Sequence, residues 1–137
     1  MRSKPPLSVG RIVGEILAGG VGGVVVGFVG LVVGINYAMH YLPMGKCNPV
    51  VDYAIRIGSV LGSTIGVYVV GNIGNGTGSF LATLGGSILG GLVGWSALVL
   101  GQPLVGLSAL VLGQPIGATL GFNLTRKYKS GYENEPH

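Results

Sequence analysis

Residues 16–35, ILAGGVGGVVVGFVGLVVGI, contain no polar side chain. About 20 such residues are what an α-helix needs to cross a hydrocarbon core of about 30 Å. Twelve of them are Val, Leu, Ile or Phe, seven are Gly and one is Ala. On the insertion scale the twelve alone supply about −4 to −7 kcal/mol, which favours a membrane-inserted helix. A membrane strand would alternate polar and apolar residues over about 10 positions, and the consecutive Val24, Val25 and Val26 break any such alternation.

The whole chain carries the same signature. Of 137 residues only 9% are charged, against about 25% in soluble globular proteins. Hydrophobic residues make up 48%, Gly contributes 28 residues, and the mean hydropathy is +0.66. Collagen is excluded because Gly does not recur at every third position, and disorder because the Val, Leu and Ile runs are too dense. The basic N-terminus before an apolar run has the outline of a secretory signal. The run exceeds an h-region of about 7 to 15 residues, however, and no Ala-x-Ala-like site closes it, so the segment is expected to remain as a span.

Three further apolar stretches follow, giving approximate spans at 12–35, 53–73, 79–101 and 104–122 within a single integral membrane domain covering 1–137, and a polar basic tail at 123–137. Tyr37 and Tyr41 stand where an interfacial aromatic belt is expected. Asp52 and Arg56 are four apart in the favourable order for an intrahelical ion pair. Residues 72–78, NIGNGTG, form a turn signal, because Asn-Gly and repeated Gly tolerate positive φ. Read as one helix, residues 79–122 would extend about 66 Å, so a hairpin turning at Gly101, Gln102 and Pro103 is expected. The segment contains a tandem repeat, LVGWSALVLGQP at 92–103 and LVGLSALVLGQP at 104–115, whose copies differ only at Trp95 and Leu107. The duplication puts Gln114 and Pro115 inside the fourth span, where proline favours a kink. Three spans plus a re-entrant piece is therefore the competing topology.

The glycines fall at helical spacing. Gly19, Gly23 and Gly27 continue to Gly30 and Gly34, and span two carries Gly58, Gly62 and Gly66. Span three carries Gly86, Gly90 and Gly94, and span four Gly113, Gly117 and Gly121. Small residues at i, i+4 and i+8 let helix backbones approach closely, a main source of association where lipid removes the hydrophobic drive. The stretch 58–94, GSVLGSTIGVYVVGNIGNGTGSFLATLGGSILGGLVG, resembles the two-helix glycine-zipper domain of small bacterial envelope proteins: zipper, Gly-rich turn, zipper. That resemblance implies an envelope membrane protein of structural type. Met44, Gly45 and Lys46 before Cys47 do not make a lipobox, which favours the bacterial inner (plasma) membrane over an outer-membrane lipoprotein.

The net charge is +4, and six of the eight basic residues lie at the ends: Arg2, Lys4, Arg11, Arg126, Lys127 and Lys129. They are expected to anchor in lipid headgroups, with both termini cytoplasmic by the positive-inside rule and an even number of spans. No continuous basic face or aromatic-interleaved basic stretch points to nucleic acid. Glu15, at the edge of the first apolar run, is the one candidate proton or ion site, with pairing to Arg11 one turn earlier as the favoured reading. His40, Cys47 and Asp52 match no metal-ligand spacing, so no metal is expected. Ser59, Ser63 and Thr64 have no base nearby to activate them, and the Gly-rich turn lacks the Lys of a phosphate loop. No cofactor and no enzymatic activity are expected. The sequence thus reads as an all-α, multi-pass transmembrane bundle packed through glycine stripes. Its expected role is structural or scaffolding, in contact with the lipid bilayer and with further copies of itself or other membrane proteins. The alternative is a small transporter, channel or protein-translocation subunit, which would line a polar cavity with Glu15, Ser59, Ser63, Thr64 or Gln114.

Overall fold

The computed structural model describes residues 8–43, 47–73, 76–101 and 103–128. It contains α1 (Val9–Tyr41), α2 (Cys47–Gly71), β1 (Gly76–Thr77), α3 (Phe80–Val99), α4 (Pro103–Leu124) and β2 (Lys127–Tyr128). All four helices are long and apolar enough to cross a membrane. The fold is therefore all-α, and the chain is a multi-pass integral membrane protein whose apolar outer surface meets lipid. Val21, Phe28, Leu89 and Leu120, each more than 60% exposed, lie on that surface.

Local chemistry sets the helix ends. α1 outruns its apolar run by about two turns on each side and stops at Leu42, whose extended backbone precedes Pro43; the residue before proline is disfavoured in the α region. α2 begins earlier than its apolar stretch, with Pro49 in its first turn, where proline removes no intrahelical bond. It ends at Gly71, where the Asn72 side chain donates to the Tyr68 carbonyl at 2.6 Å. α3 starts from Ser79, whose hydroxyl accepts from the Ala82 N–H, and closes through Gly101 at φ 74°, the left-handed position that favours glycine. α4 is one continuous helix with Pro115 inside it, long and apolar enough to cross a membrane.

α1 packs most extensively on α2, and α3 on α4, so the bundle consists of two hairpins. Glycine makes both close. A Cβ on Gly62 would stand 2.6 Å from the Gly22 carbonyl carbon, and one on Gly66 2.7 Å from that of Ala18. In the second hairpin a Cβ on Gly86 would stand 2.7 Å from the Gly117 carbonyl carbon, and one on Gly121 2.8 Å from that of Ala82. In each case the glycine hydrogen that replaces Cβ points at a carbonyl of the facing helix, the geometry of a Cα–H···O contact. The α1 face that meets the α2 backbone runs through Gly22 and Gly30. Gly19, Gly23 and Gly27 instead make room for side chains: Val67 and Pro115 at Gly19, Ser63 at Gly23 and Ser59 at Gly27.

The two hairpins meet through α1–α4, α2–α3 and α2–α4 contacts. At one end of the bundle the two short strands pair antiparallel, Gly76 with Tyr128 and Thr77 with Lys127. α4 runs on to Leu124, and residues 127–128 then pair with β1 beside the α2–α3 turn.

Candidate functional site

Polar side chains gather in two places inside the bundle. The first lies where α1 begins and α4 ends. Glu15 is fully buried, and its carboxylate accepts from Arg126 Nη2 and, at 2.8 Å, from Asn123 Nδ2. Arg11 Nε lies 3.5 Å from the same carboxylate. Arg11 Nη2 donates to the carbonyls of Gly71 at 2.6 Å and Ile73 at 2.9 Å, satisfying acceptors left open where α2 ends. The Arg126 guanidinium stacks on Phe122, 4.9 Å from the ring centroid, and that ring fits between Gly71 and Gly78. A Cβ on Gly76 would stand 3.0 Å from Arg11 Nη2, so glycine lets β1 cover both arginines.

This cluster corrects two expectations. Arg126 does not anchor in headgroups, because its side chain is only 2% exposed and Glu15 holds it inside. Arg11 is likewise turned inward by Glu15 and the α2 carbonyls. Glu15 does pair with Arg11, but as a buried group shared with a second arginine 111 residues away rather than as an exposed interfacial pair. Lys127 is exposed, and Arg2, Lys4 and Lys129 lie outside the described residues. The buried Arg126 Nε and Nη1, Asn123 Oδ1 and Thr119 Oγ1 find no partner among the described residues. Each such group costs about 1–3 kcal/mol.

The second place lies halfway along the apolar run of α1, level with Gly23 and Gly27. Ser59 Oγ donates to Gln114 Oε1 at 2.7 Å, joining α2 to α4. Ser87 Oγ reaches the Val60 carbonyl at 3.3 Å, joining α3 to α2. Thr64 also donates to Val60, at 2.7 Å. Arg56 pairs with Asp52 at 2.8 Å, as the spacing predicts, and lies 4.9 Å from the Trp95 ring centroid. Two cavities adjoin Arg56 and Gln114. One, of about 210 Å³, lies between α1, α2 and α4 and includes Ser59 and Ser63; the other, of about 140 Å³, lies between α2, α3 and α4 and includes Trp95. Val67, Ala118 and Phe122 form a fully buried apolar core. It separates these cavities from the Glu15 cluster, because Val67 and Pro115 meet α1 at Gly19, one turn from each.

Among the described residues no group of three or more His, Cys, Asp or Glu is placed to hold a metal ion. His40 is exposed, its Nδ1 2.8 Å from the Asn36 carbonyl. Several residues of these contacts, among them Ser87, Gly22 and Asn123, escaped the sequence reading. Gly22 lies off the i, i+4 series that runs through Gly19 and Gly23, and Asn123 follows the last apolar stretch. The signal for Asn123 was its position three residues before Arg126. No protein-family model, curated protein or solved structure matches the chain.

Proposed function

We propose that the protein is a structural, non-catalytic scaffold of the bacterial inner membrane, of glycine-zipper type, with both termini in the cytoplasm. It associates through its remaining small-residue faces with further copies of itself or with other membrane proteins. The observation that carries this reading is the use of chemistry for cohesion. Gly58, Gly62 and Gly66 serve the first hairpin, Gly86, Gly90, Gly113 and Gly117 serve the second, and Glu15 fastens the first helix to the last. The cytoplasmic assignment rests on Lys127, exposed just beyond α4, and on Arg2, Lys4 and Lys129, which precede α1 or follow α4 in the sequence.

A transporter, channel or translocation subunit is the second reading, favoured by the cavities beside Arg56, Ser59, Ser63 and Gln114. Proteoliposomes containing the purified chain separate the two. A scaffold leaves proton, chloride and small-solute permeability at the level of empty liposomes, while its deletion raises cellular sensitivity to detergent. Protein-dependent flux abolished by Gln114→Leu would replace the scaffold reading with transport.

A further inference from the structure

The amide of Gln114 is only 4% exposed and unevenly satisfied. Its Oε1 accepts from Ser59, whereas Nε2 has no acceptor among the described residues and faces Gly91, where a Cβ would stand 3.2 Å away. Gln114 and Gly91 both line the cavity of about 140 Å³ between α2, α3 and α4. Arg56, also on the cavity wall, supplies a cation held over Trp95. The other walls are apolar, from Val60, Ile88, Leu92 and Leu110. Among the described residues the carboxylate paired with Arg56 is that of Asp52, which does not line the cavity and whose side chain is 52% exposed. Pairs as exposed as this hold weakly.

We propose that this cavity binds a small monocarboxylate, with one oxygen on the Arg56 guanidinium, the other on Gln114 Nε2, and the apolar tail against Ile88, Leu92 and Leu110. A guanidinium and an amide on the wall of an otherwise apolar pocket select an acceptor-bearing anion over a cation or an alcohol. The volume of about 140 Å³ suits an acid of only a few carbons. The ligand is therefore either a short water-soluble acid or the carboxyl end of a fatty acid whose chain leaves into lipid. The tandem repeat adds an independent mark, because its two copies differ only where Trp95 replaces leucine, and that residue lies against Arg56.

Trp95 is the only tryptophan in the chain, so its emission reports on the pocket directly. The full-length protein in nanodiscs is titrated with butyrate, butyramide, butanol and palmitate, and [¹⁴C]butyrate equilibrium binding provides a second readout that does not depend on Trp95. We expect saturable binding of butyrate with no response to butyramide or butanol. Gln114→Leu and Arg56→Gln should each weaken it about ten-fold or more, by loss of a charge-assisted hydrogen bond. Asp52→Asn, a change at the exposed rim, should tighten it, because the competing anion is gone. Palmitate displacing butyrate assigns the site to fatty acids, and failure to displace assigns it to soluble acids. Two results overturn the proposal: no saturable binding of either acid, or butyrate binding that ignores both Gln114→Leu and Asp52→Asn. Binding without flux leaves the scaffold reading intact, so the two proposals fail separately.

Discussion

Replacing Glu15 with glutamine removes one negative charge and little volume, and the structure places its cost far above that of a surface pair. The carboxylate is fully buried and is the only counter-ion that Arg126, with a side chain 2% exposed, has among the described residues. Breaking a buried pair by removing one partner costs about 3–5 kcal/mol, because the other charge stays buried and uncompensated. An exposed pair would cost about 0–1 kcal/mol. At 1.4 kcal/mol per tenfold, the folding equilibrium should shift by a factor of about 10² to 10³ or more. Arg126→Gln should cost less, since Glu15 keeps Asn123 at 2.8 Å and Arg11 at 3.5 Å. The double variant should recover part of the Glu15→Gln loss, giving a coupling of about 1–3 kcal/mol. Equilibrium unfolding in mixed detergent micelles, followed by Trp95 emission at the far end of the bundle, measures all three. Because the pair is shielded from solvent ions, the loss should change little between low and high salt. Three variants within about 1 kcal/mol of the parent, or a loss that disappears in salt, would refute a buried clasp.

The glycine contacts and the topology yield two further tests. Gly62→Ile should lower thermal stability in detergent by several degrees, because its Cβ would meet Gly22 and Val26 directly, while Val69→Ile on the lipid face, where Val69 is 55% exposed, should change little. Equal melting points for the two variants would show that the α1–α2 contact is not set by that glycine. In a Cys47→Ser background, single cysteines at Ser3 and Ser130 should both be labelled from the cytoplasmic side in intact and opened cells, and labelling from opposite sides would contradict an even number of crossings.

Much of the fold could be read locally, and most of the site could not. Residues 16–35 announce a span by length and polarity alone, and Gly101 and Pro103 announce the α3–α4 turn through the backbone conformations they permit. On α2 and α3, Gly58, Gly62, Gly66, Gly86 and Gly90 face carbonyls of the neighbouring helix. On α1, however, two adjacent glycine series exist, and only the structure shows that Gly22 meets backbone while Gly23 admits Ser63. Arg126 was misread because composition assigns a basic residue beyond the last apolar stretch to the headgroups. What turns it inward is a partner 111 residues away and a two-strand pairing, and neither leaves a local trace. Gln114 was visible as an amide deep in a span, but its partner Ser59 lies on another helix.

Cohesion divides by chemistry: within each hairpin glycines bring backbones together, whereas polar contacts span the boundary between hairpins. Glu15–Asn123 joins α1 to α4, Ser59–Gln114 joins α2 to α4, and Ser87 to the Val60 carbonyl joins α3 to α2. The hairpins are then separable units that recognise each other through these polar contacts and the Val67–Ala118–Phe122 core. Fragments 1–74 and 75–137, cut in the Gly-rich turn and co-expressed, should assemble in the membrane and copurify. Interhelical hydrogen bonds in membranes average about 0.6 kcal/mol, so Ser59→Ala should weaken that assembly only about three-fold. Glu15→Gln should weaken it about a hundred-fold or more, because it also leaves Arg126 without its counter-ion. Donor and acceptor fluorophores on the two fragments, diluted stepwise with lipid, read both values. Assembly of the fragments that is indifferent to Glu15→Gln but lost with Ser59→Ala would reverse this order and make the mid-membrane amide, not the ion pair, the joint between the hairpins.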